Sequence, residues 1–191
     1  LQAVAQGGVG PESRVAIFGA GMIGLVALEA ALARGAEQIW IVDVVERRLG
    51  LAKELGATPV NARHEDVVQE LRRQTGGGPD VVIEASGAPA AITTAFKSAA
   101  KGAIFVAVGL PEAPTVALDY TAIVRSGIRI EAVFRYANQF PLALDVAVRR
   151  RERLARLVTD CLPFAQTAEA FAVAHARREG TIKVVVVVEF P

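Results

Sequence analysis

Three glycines and one carboxylate carry the chemistry most legible in this chain. Gly19, Gly21 and Gly24, within Gly19-Ala20-Gly21-Met22-Ile23-Gly24, follow the apolar run of residues 14–18 and open a second apolar stretch, and Asp43 closes the next run, residues 39–43. Such a pattern asks for small residues for three reasons: a tight strand-to-helix turn at Gly19, close backbone approach to a pyrophosphate at Gly21, and helix-on-sheet packing at Gly24. Amide N–H groups at the helix start, at the positive end of its dipole, then face two phosphates, and Asp43 accepts hydrogen bonds from ribose hydroxyls. The plainer role for Asp43 is to cap the turn that follows it. Its charge opposes a ribose 2′-phosphate, which predicts NAD rather than NADP; Arg47 and Arg48 soften that preference, since guanidinium groups pair with phosphate.

Other candidates for chemistry are sparse. His64 and His175 each fall on an expected polar helix without a second ligand at helical spacing, so neither reads as a metal or acid–base residue. Cys161 reads as a small buried apolar residue, and a single cysteine excludes both an internal disulfide framework and a multi-cysteine zinc site on these residues. Lysine and arginine number 21 against 20 aspartate and glutamate, so no broad field points to nucleic acid or an anionic membrane as partner. Arg149-Arg150-Arg151-Glu152-Arg153 with Arg156 reads as a solvated helix end rather than a basic patch. The apolar runs are far shorter than a membrane span and no charged-then-apolar leader is legible, so the expected setting is reducing and cytoplasmic.

These residues need a frame to hold them. Strand-like and helix-like segments alternate from residue 14 to about residue 134, as in a parallel sheet wrapped by helices. Strands are expected at residues 14–18, 39–43, 58–60, 80–85, 103–108 and 128–134, with helices at 22–34, 46–55, 64–74 and 89–99. The fold class is therefore α/β: a doubly wound, parallel, six-stranded Rossmann sheet with an α+β C-terminal tail. Phe18, Asp43, Ala85, Val108 and Phe134 then lie along one edge, where open α/β sheets bind ligands. Glu84 is expected to satisfy backbone groups near its strand end. After about residue 136 the rhythm changes to helices at 140–150 and 167–178, an extended piece at 162–165 and a strand at 182–190. Residues 184–188 are all valine, a strand that needs neighbours, and the tail offers no evident partner sheet. Residues 1–8 read as the end of a helix begun elsewhere, so the chain is expected to be a piece of a longer protein.

Residues 15–24, Val42-Asp43 with Arg48 and Leu49, Leu55-Gly56-Ala57, residues 80–87, Val108-Gly109-Leu110 and Val133-Phe134-Arg135-Tyr136-Ala137-Asn138 carry a resemblance over nearly the whole chain. In them the chain resembles the medium-chain dehydrogenase/reductase family, the zinc alcohol dehydrogenases, and most closely its sorbitol and xylitol dehydrogenase branch. The resemblance implies cofactor contacts from Gly19, Gly21, Met22, Ile23 and Gly24, from Asp43 and Arg48 at the adenosine end, and from Ser86. It implies that Val108, Gly109, Leu110, Val133, Phe134 and Arg135 border the nicotinamide, and that Arg135 and Tyr136 face a polyol; a surface arginine beside a packed tyrosine is the bland alternative.

The resemblance further implies a catalytic domain bearing zinc that precedes this chain. His64, His175 and Cys161 match none of that family's zinc ligands, so neither a metal site nor a catalytic residue is expected here. Residues 1–12 become a linker, 13–136 an NAD-binding Rossmann domain, and 137–191 a segment that completes the absent domain. The implied activity is transfer of hydride from a secondary alcohol to NAD, with a small-molecule alcohol, the missing domain and a homo-oligomer as partners. Alternatives are a branch acting on threonine or simple alcohols, or a non-catalytic dinucleotide-binding regulatory module.

Overall fold

A computed structural model describes residues 1–176 and 178–188. After a short helix α1 (Gln2–Gln6), strand and helix alternate through β1 (Arg14–Phe18), α2 (Met22–Ala33), β2 (Gln38–Asp43), α3 (Glu46–Glu54), β3 (Thr58–Asn61), α4 (Val67–Thr75), β4 (Val81–Glu84), α5 (Pro89–Ser98), β5 (Ile104–Ala107), α6 (Tyr120–Ser126) and β6 (Arg129–Ala132). The strands form one six-stranded sheet in the order β3-β2-β1-β4-β5-β6. All its pairings are parallel. The order reverses at β1, so the crevice outside its carboxyl end is the switch point at which such sheets take ligands.

Period-two alternation in β1 explains why it is apolar throughout. Val15 and Ile17 join a core on one face with Leu25, Leu28 and Ile41, while Ala16 and Phe18 join a second core on the other with Trp40, Val82 and Phe105. A strand covered on both faces has no polar side to show. At the amino end of the sheet, Arg14 ties β1 to β4: its Nε donates to Asp80 at 2.8 Å and its guanidinium also reaches the Thr75 carbonyl.

Element ends depart from the sequence expectation by a few residues. Helix α4 begins at Val67 because the Asp66 carboxylate accepts from Gln69 N–H at 3.0 Å, which leaves His64 in the preceding turn rather than on a helix. Helix α6 was absent from the sequence reading, although Asp119 caps it by accepting from Ala122 N–H at 2.9 Å.

The tail differs more. Helices α7 (Phe140–Arg149) and α8 (Arg151–Ala155) lead into β7 (Val158–Pro163), then α9 (Thr167–His175) and β8 (Lys183–Val187). Contrary to expectation, β8 has a partner: it pairs in parallel with β7. Thr159, Asp160 and Cys161 make β7 look polar in sequence, which hid it, and Cys161 is exposed rather than buried. The arginine run is also more than a solvated helix end. Glu29 on α2 is 2% exposed and accepts from Arg150 at 2.8 Å and Arg153 at 3.0 Å; Arg153 further donates to the Leu55 carbonyl at 2.6 Å, and Arg156 pairs with Glu54. With Leu157 buried in the first core, this clasp fastens the tail to the sheet domain. Expectations for residues 189–191, the end of the last expected strand, lie outside the described residues, and so does that for residue 177 within the expected helix 167–178.

Candidate functional site

The glycine turn sits between β1 and α2, and each glycine answers a different demand. Gly19 has φ 100°, a left-handed value that favours glycine, and a Cβ there would stand 3.0 Å from Ser86 N. Its N–H donates to the Val42 carbonyl at 2.7 Å, which pins the turn to β2. Gly24 is excluded from carrying a side chain by the Gly19 carbonyl oxygen, which a Cβ would overlap. The third glycine therefore lets the helix start pack on its own turn, with contact to Ile17 of the sheet secondary to that.

Gly21 is unlike the other two: it is the N-cap of α2 at φ −76°, and a Cβ there would meet nothing within 4 Å. No side chain caps the helix and no acidic residue stands in its first turn. An open space over helix-start N–H groups at the positive end of the dipole is what a pyrophosphate requires, so these residues fit a dinucleotide.

Asp43 lies at the tip of β2 beside this turn. Its Oδ2 accepts from Ala20 N–H at 2.6 Å, and its Oδ1 accepts from Val44 N–H at 2.7 Å and Val45 N–H at 2.9 Å. The carboxylate thus does cap the following turn and also clamps the glycine turn. Since two carboxylate oxygens offer about four acceptor positions, these three bonds leave one unused among the described residues. Arg48 donates to the Thr181 carbonyl at 3.2 Å, with its Nε enclosed and without a partner among the described residues, while a Cβ at Gly180 would lie 2.9 Å from Arg47 Cζ. The tail turn at 180–181 therefore engages both guanidinium groups.

The residues expected at the nicotinamide come together in a cleft of about 800 Å³ on the other side of the turn. Ile23, Ser86, Val108 to Leu110 and Val133 to Tyr136 all line it, whereas Gly19, Gly21, Met22, Gly24, Asp43 and Arg48 do not. Ser86 joins the two parts, since it borders the cleft and packs against Gly19. Leu110, Phe134 and Tyr136 are exposed at 76%, 74% and 69%, and the Arg135 guanidinium lies 5.2 Å from the centroid of the Phe134 ring. Sequence reasoning missed Val26, Ala27 and Ala30, which share the cleft wall with Ile23. Their i, i+3, i+4, i+7 spacing from Ile23 was the signal, masked because α2 is apolar on every side.

Among the described residues no group of three or more His, Cys, Asp or Glu side chains lies together to hold a metal ion, so the residues present do not fit zinc. No helix among the described residues is long and apolar enough to cross a membrane.

Comparison with known proteins agrees with this geometry. Residues 23–149 match the family model described as zinc-binding dehydrogenase. Sorbitol dehydrogenase of Bacillus subtilis (strain 168) is 35% identical over 188 residues, 97% of this chain and 53% of the relative. Sorbitol dehydrogenase of Homo sapiens is 37% identical over 176 residues, 90% of this chain and 49% of the relative. The solved structure of 2R,3R-butanediol dehydrogenase from Bacillus subtilis, 28% identical, superposes with a TM-score of 0.86 over 96% of this chain and 53% of that one. The chain spans about half the length of the curated relatives it matches.

Proposed function

This chain belongs to the zinc-binding dehydrogenase family, and from that premise we propose that it is the cofactor-holding portion of an NAD-dependent dehydrogenase acting on a secondary alcohol of the sorbitol or xylitol kind. The observation that carries the reading is the open space over Gly21 at the uncapped start of α2, with Asp43 beside it. When bound, NAD supplies the acceptor for a hydride from the alcohol carbon. The chain's own residues bind and orient. Backbone N–H groups at Gly21, Met22 and Ile23 hold the pyrophosphate, Asp43 holds the ribose hydroxyls, and its charge disfavours a 2′-phosphate.

Val108 and Val133 supply apolar walls that exclude water from one face of the nicotinamide ring, and Leu110 reaches over its edge. Arg135 and Tyr136 stand at the mouth of the same cleft, where a guanidinium and a phenol can hydrogen-bond several hydroxyls of a polyol. Arg48 belongs at the adenosine end, where the family resemblance sets it with Asp43. On this reading residues 13–136 are the NAD-binding domain, residues 1–12 the linker that leads into it, and residues 137–191 a segment that would complete a second domain lying outside this chain, which would also contribute any zinc ligands. The exposed free thiol of Cys161 accords with a cytoplasmic setting. A homo-oligomer is in keeping with the apolar surface left outside the cleft at Val124 of α6 and Ile130 of the edge strand β6.

Titration of this chain with NADH, NADPH and ADP-ribose, followed by calorimetry, tests the reading. Saturable binding of NADH and ADP-ribose with weaker binding of NADPH is the expected result. Absence of heat with all three at millimolar concentration, on folded protein, would overturn it. For the substrate, an intact enzyme carrying this chain should turn over xylitol or sorbitol faster than threonine; the reverse order would reject the polyol assignment.

A further inference from the structure

Glu84 is the one carboxylate at the ligand-binding edge of the sheet that the reading above leaves without a function. It closes β4 at 1% exposure, beside the turn of residues 85–87. Among the described residues it has no ion-pair partner, and what it holds is backbone. Its Oε1 accepts from Ser86 N–H at 2.8 Å, from the Ser86 hydroxyl at 2.5 Å and from Gly87 N–H at 3.1 Å, while Oε2 lies 3.3 Å from the same Gly87 nitrogen. The Glu84 main-chain carbonyl accepts from both Val108 N–H and Gly109 N–H at 2.9 Å. One residue therefore holds two loops, 85–87 through its side chain and 108–110 through its backbone.

Those loops interlock with no side chain between them. Gly87 has φ 71°, and a Cβ there would lie 2.5 Å from the Leu110 carbonyl oxygen. A Cβ at Gly109 would lie 2.5 Å from Glu84 Oε2 and 2.8 Å from Gly87 Cα. Each glycine is thus small to let the other loop and the carboxylate close in. The Ser86 hydroxyl is held at both ends: it donates to Glu84 Oε1 and accepts from Ala88 N–H at 3.1 Å. Ser86, Val108, Gly109 and Leu110 together form one wall of the 800 Å³ cleft.

Asp43 supplies the contrast. It clamps the glycine turn to β2 through Ala20 N–H, and that turn has a second anchor in the Gly19 bond to the Val42 carbonyl. Two carboxylates at the tips of β2 and β4, the strands on either side of β1, therefore divide the edge, Asp43 fixing the phosphate end and Glu84 the cleft end.

We propose that Glu84 is a positioning residue for the nicotinamide half of the cofactor, acting through the backbone of Ser86 and Gly87 and their packing on Gly109 and Leu110. The proposal rests on the dinucleotide reading. Its physical basis is that Oε1 accepts from three donors while Oε2 faces the Gly87 N–H, so an amide of the same shape that keeps its oxygen at Oε1 sets an N–H₂ group against a backbone donor, with no acceptor there among the described residues. The 85–87 turn then shifts, and with it the wall against which the nicotinamide packs.

The test is Glu84→Gln in this chain, with NADH and ADP-ribose titrated separately and thermal unfolding measured alongside. ADP-ribose keeps the adenosine, pyrophosphate and second ribose and lacks the nicotinamide, so each variant-to-parent ratio reports on one half of the site. The expected result is at least a tenfold loss for NADH, with ADP-ribose affinity changed less than threefold. Parallel loss of both ligands, as from a merely structural role, or no loss of either, would overturn the assignment and leave the dinucleotide reading standing. Failure of the parent chain to bind either ligand would reject the dinucleotide reading and this assignment with it. Ser86→Ala keeps the carboxylate and deletes one donor; it should weaken NADH about threefold and leave ADP-ribose unchanged, which keeps the proposal testable if Glu84→Gln does not fold.

Discussion

Val82 in β4 and Val185 in β8 sit in strands of similar composition, yet Val82 is fully buried and Val185 only partly so. The first strand has neighbours on both sides and helices over both faces; the second has, among the described residues, β7 as its one strand neighbour, with α9 packed against it. Strand formation follows local composition, whereas burial follows what the rest of the chain places around the strand. The six-stranded sheet is therefore held in register by its own pairings and cores, although the cleft at its edge is also lined by Phe140, Ala143 and Val146 of α7 and Leu154 of α8. The tail depends for its place on a few contacts with that sheet, the Glu29 clasp foremost.

Removing the clasp should break the comparison most sharply. Arg150→Ala with Arg153→Ala leaves Glu29 buried at 2% exposure without its cations, and should cost about 3–5 kcal/mol. Urea unfolding checks this; a loss under about 1 kcal/mol would mean that other contacts hold the tail. Like-for-like truncation in the two strands comes next. Val82→Ala should cost about 2 kcal/mol by lost transfer energy and the cavity left behind, and Val185→Ala less than about 1 kcal/mol. Equal losses would show that β8 is as well covered as β4.

A smaller effect is expected where β1 and β4 are tied at their amino ends. Hydrogen bonding from Arg14 holds the Asp80 carboxyl below its ordinary value of 3.8, so this pair stabilises the fold above that pH, and the contribution fades as pH falls through the lowered value. Asp80 is 42% exposed on its side chain, so solvent screening limits the contribution. Asp80→Asn should cost about 1 kcal/mol at neutral pH and progressively less at acid pH. A difference that widened on acidification would reverse the sign argued here.

The sheet was legible in the sequence because its inner strands β1, β2, β4 and β5 are largely apolar, as two covered faces demand, while edge strand β6 carries Arg129 and Glu131, and because glycine or proline separates the units. The glycine turn was legible because it parts an apolar strand from an apolar helix, and so was the capping role of Asp43. Val108 to Leu110 follow β5 and Val133 to Tyr136 follow β6, although β6 ends at Ala132 rather than at Phe134. Less was readable where partners are distant in sequence. Glu29 lies within an apolar helix and gave no hint that Arg150 and Arg153 would reach it. β7 carries Thr159, Asp160 and Cys161 on a strand with one neighbour, so its alternation was faint. Arg48 was expected at the adenosine end, and no local pattern announced that Thr181 would accept from it.

The account turns on the open space at Gly21, and Gly21→Asp tests it most directly. Aspartate is a favoured N-cap, so the variant should unfold at or above the temperature of the parent, while its carboxylate occupies the helix-start donors and repels a pyrophosphate. Titration followed by NADH fluorescence should show at least a tenfold loss of affinity, about 1.4 kcal/mol. Parent-like NADH affinity in a folded Gly21→Asp variant would contradict the assignment of this turn as the cofactor cradle.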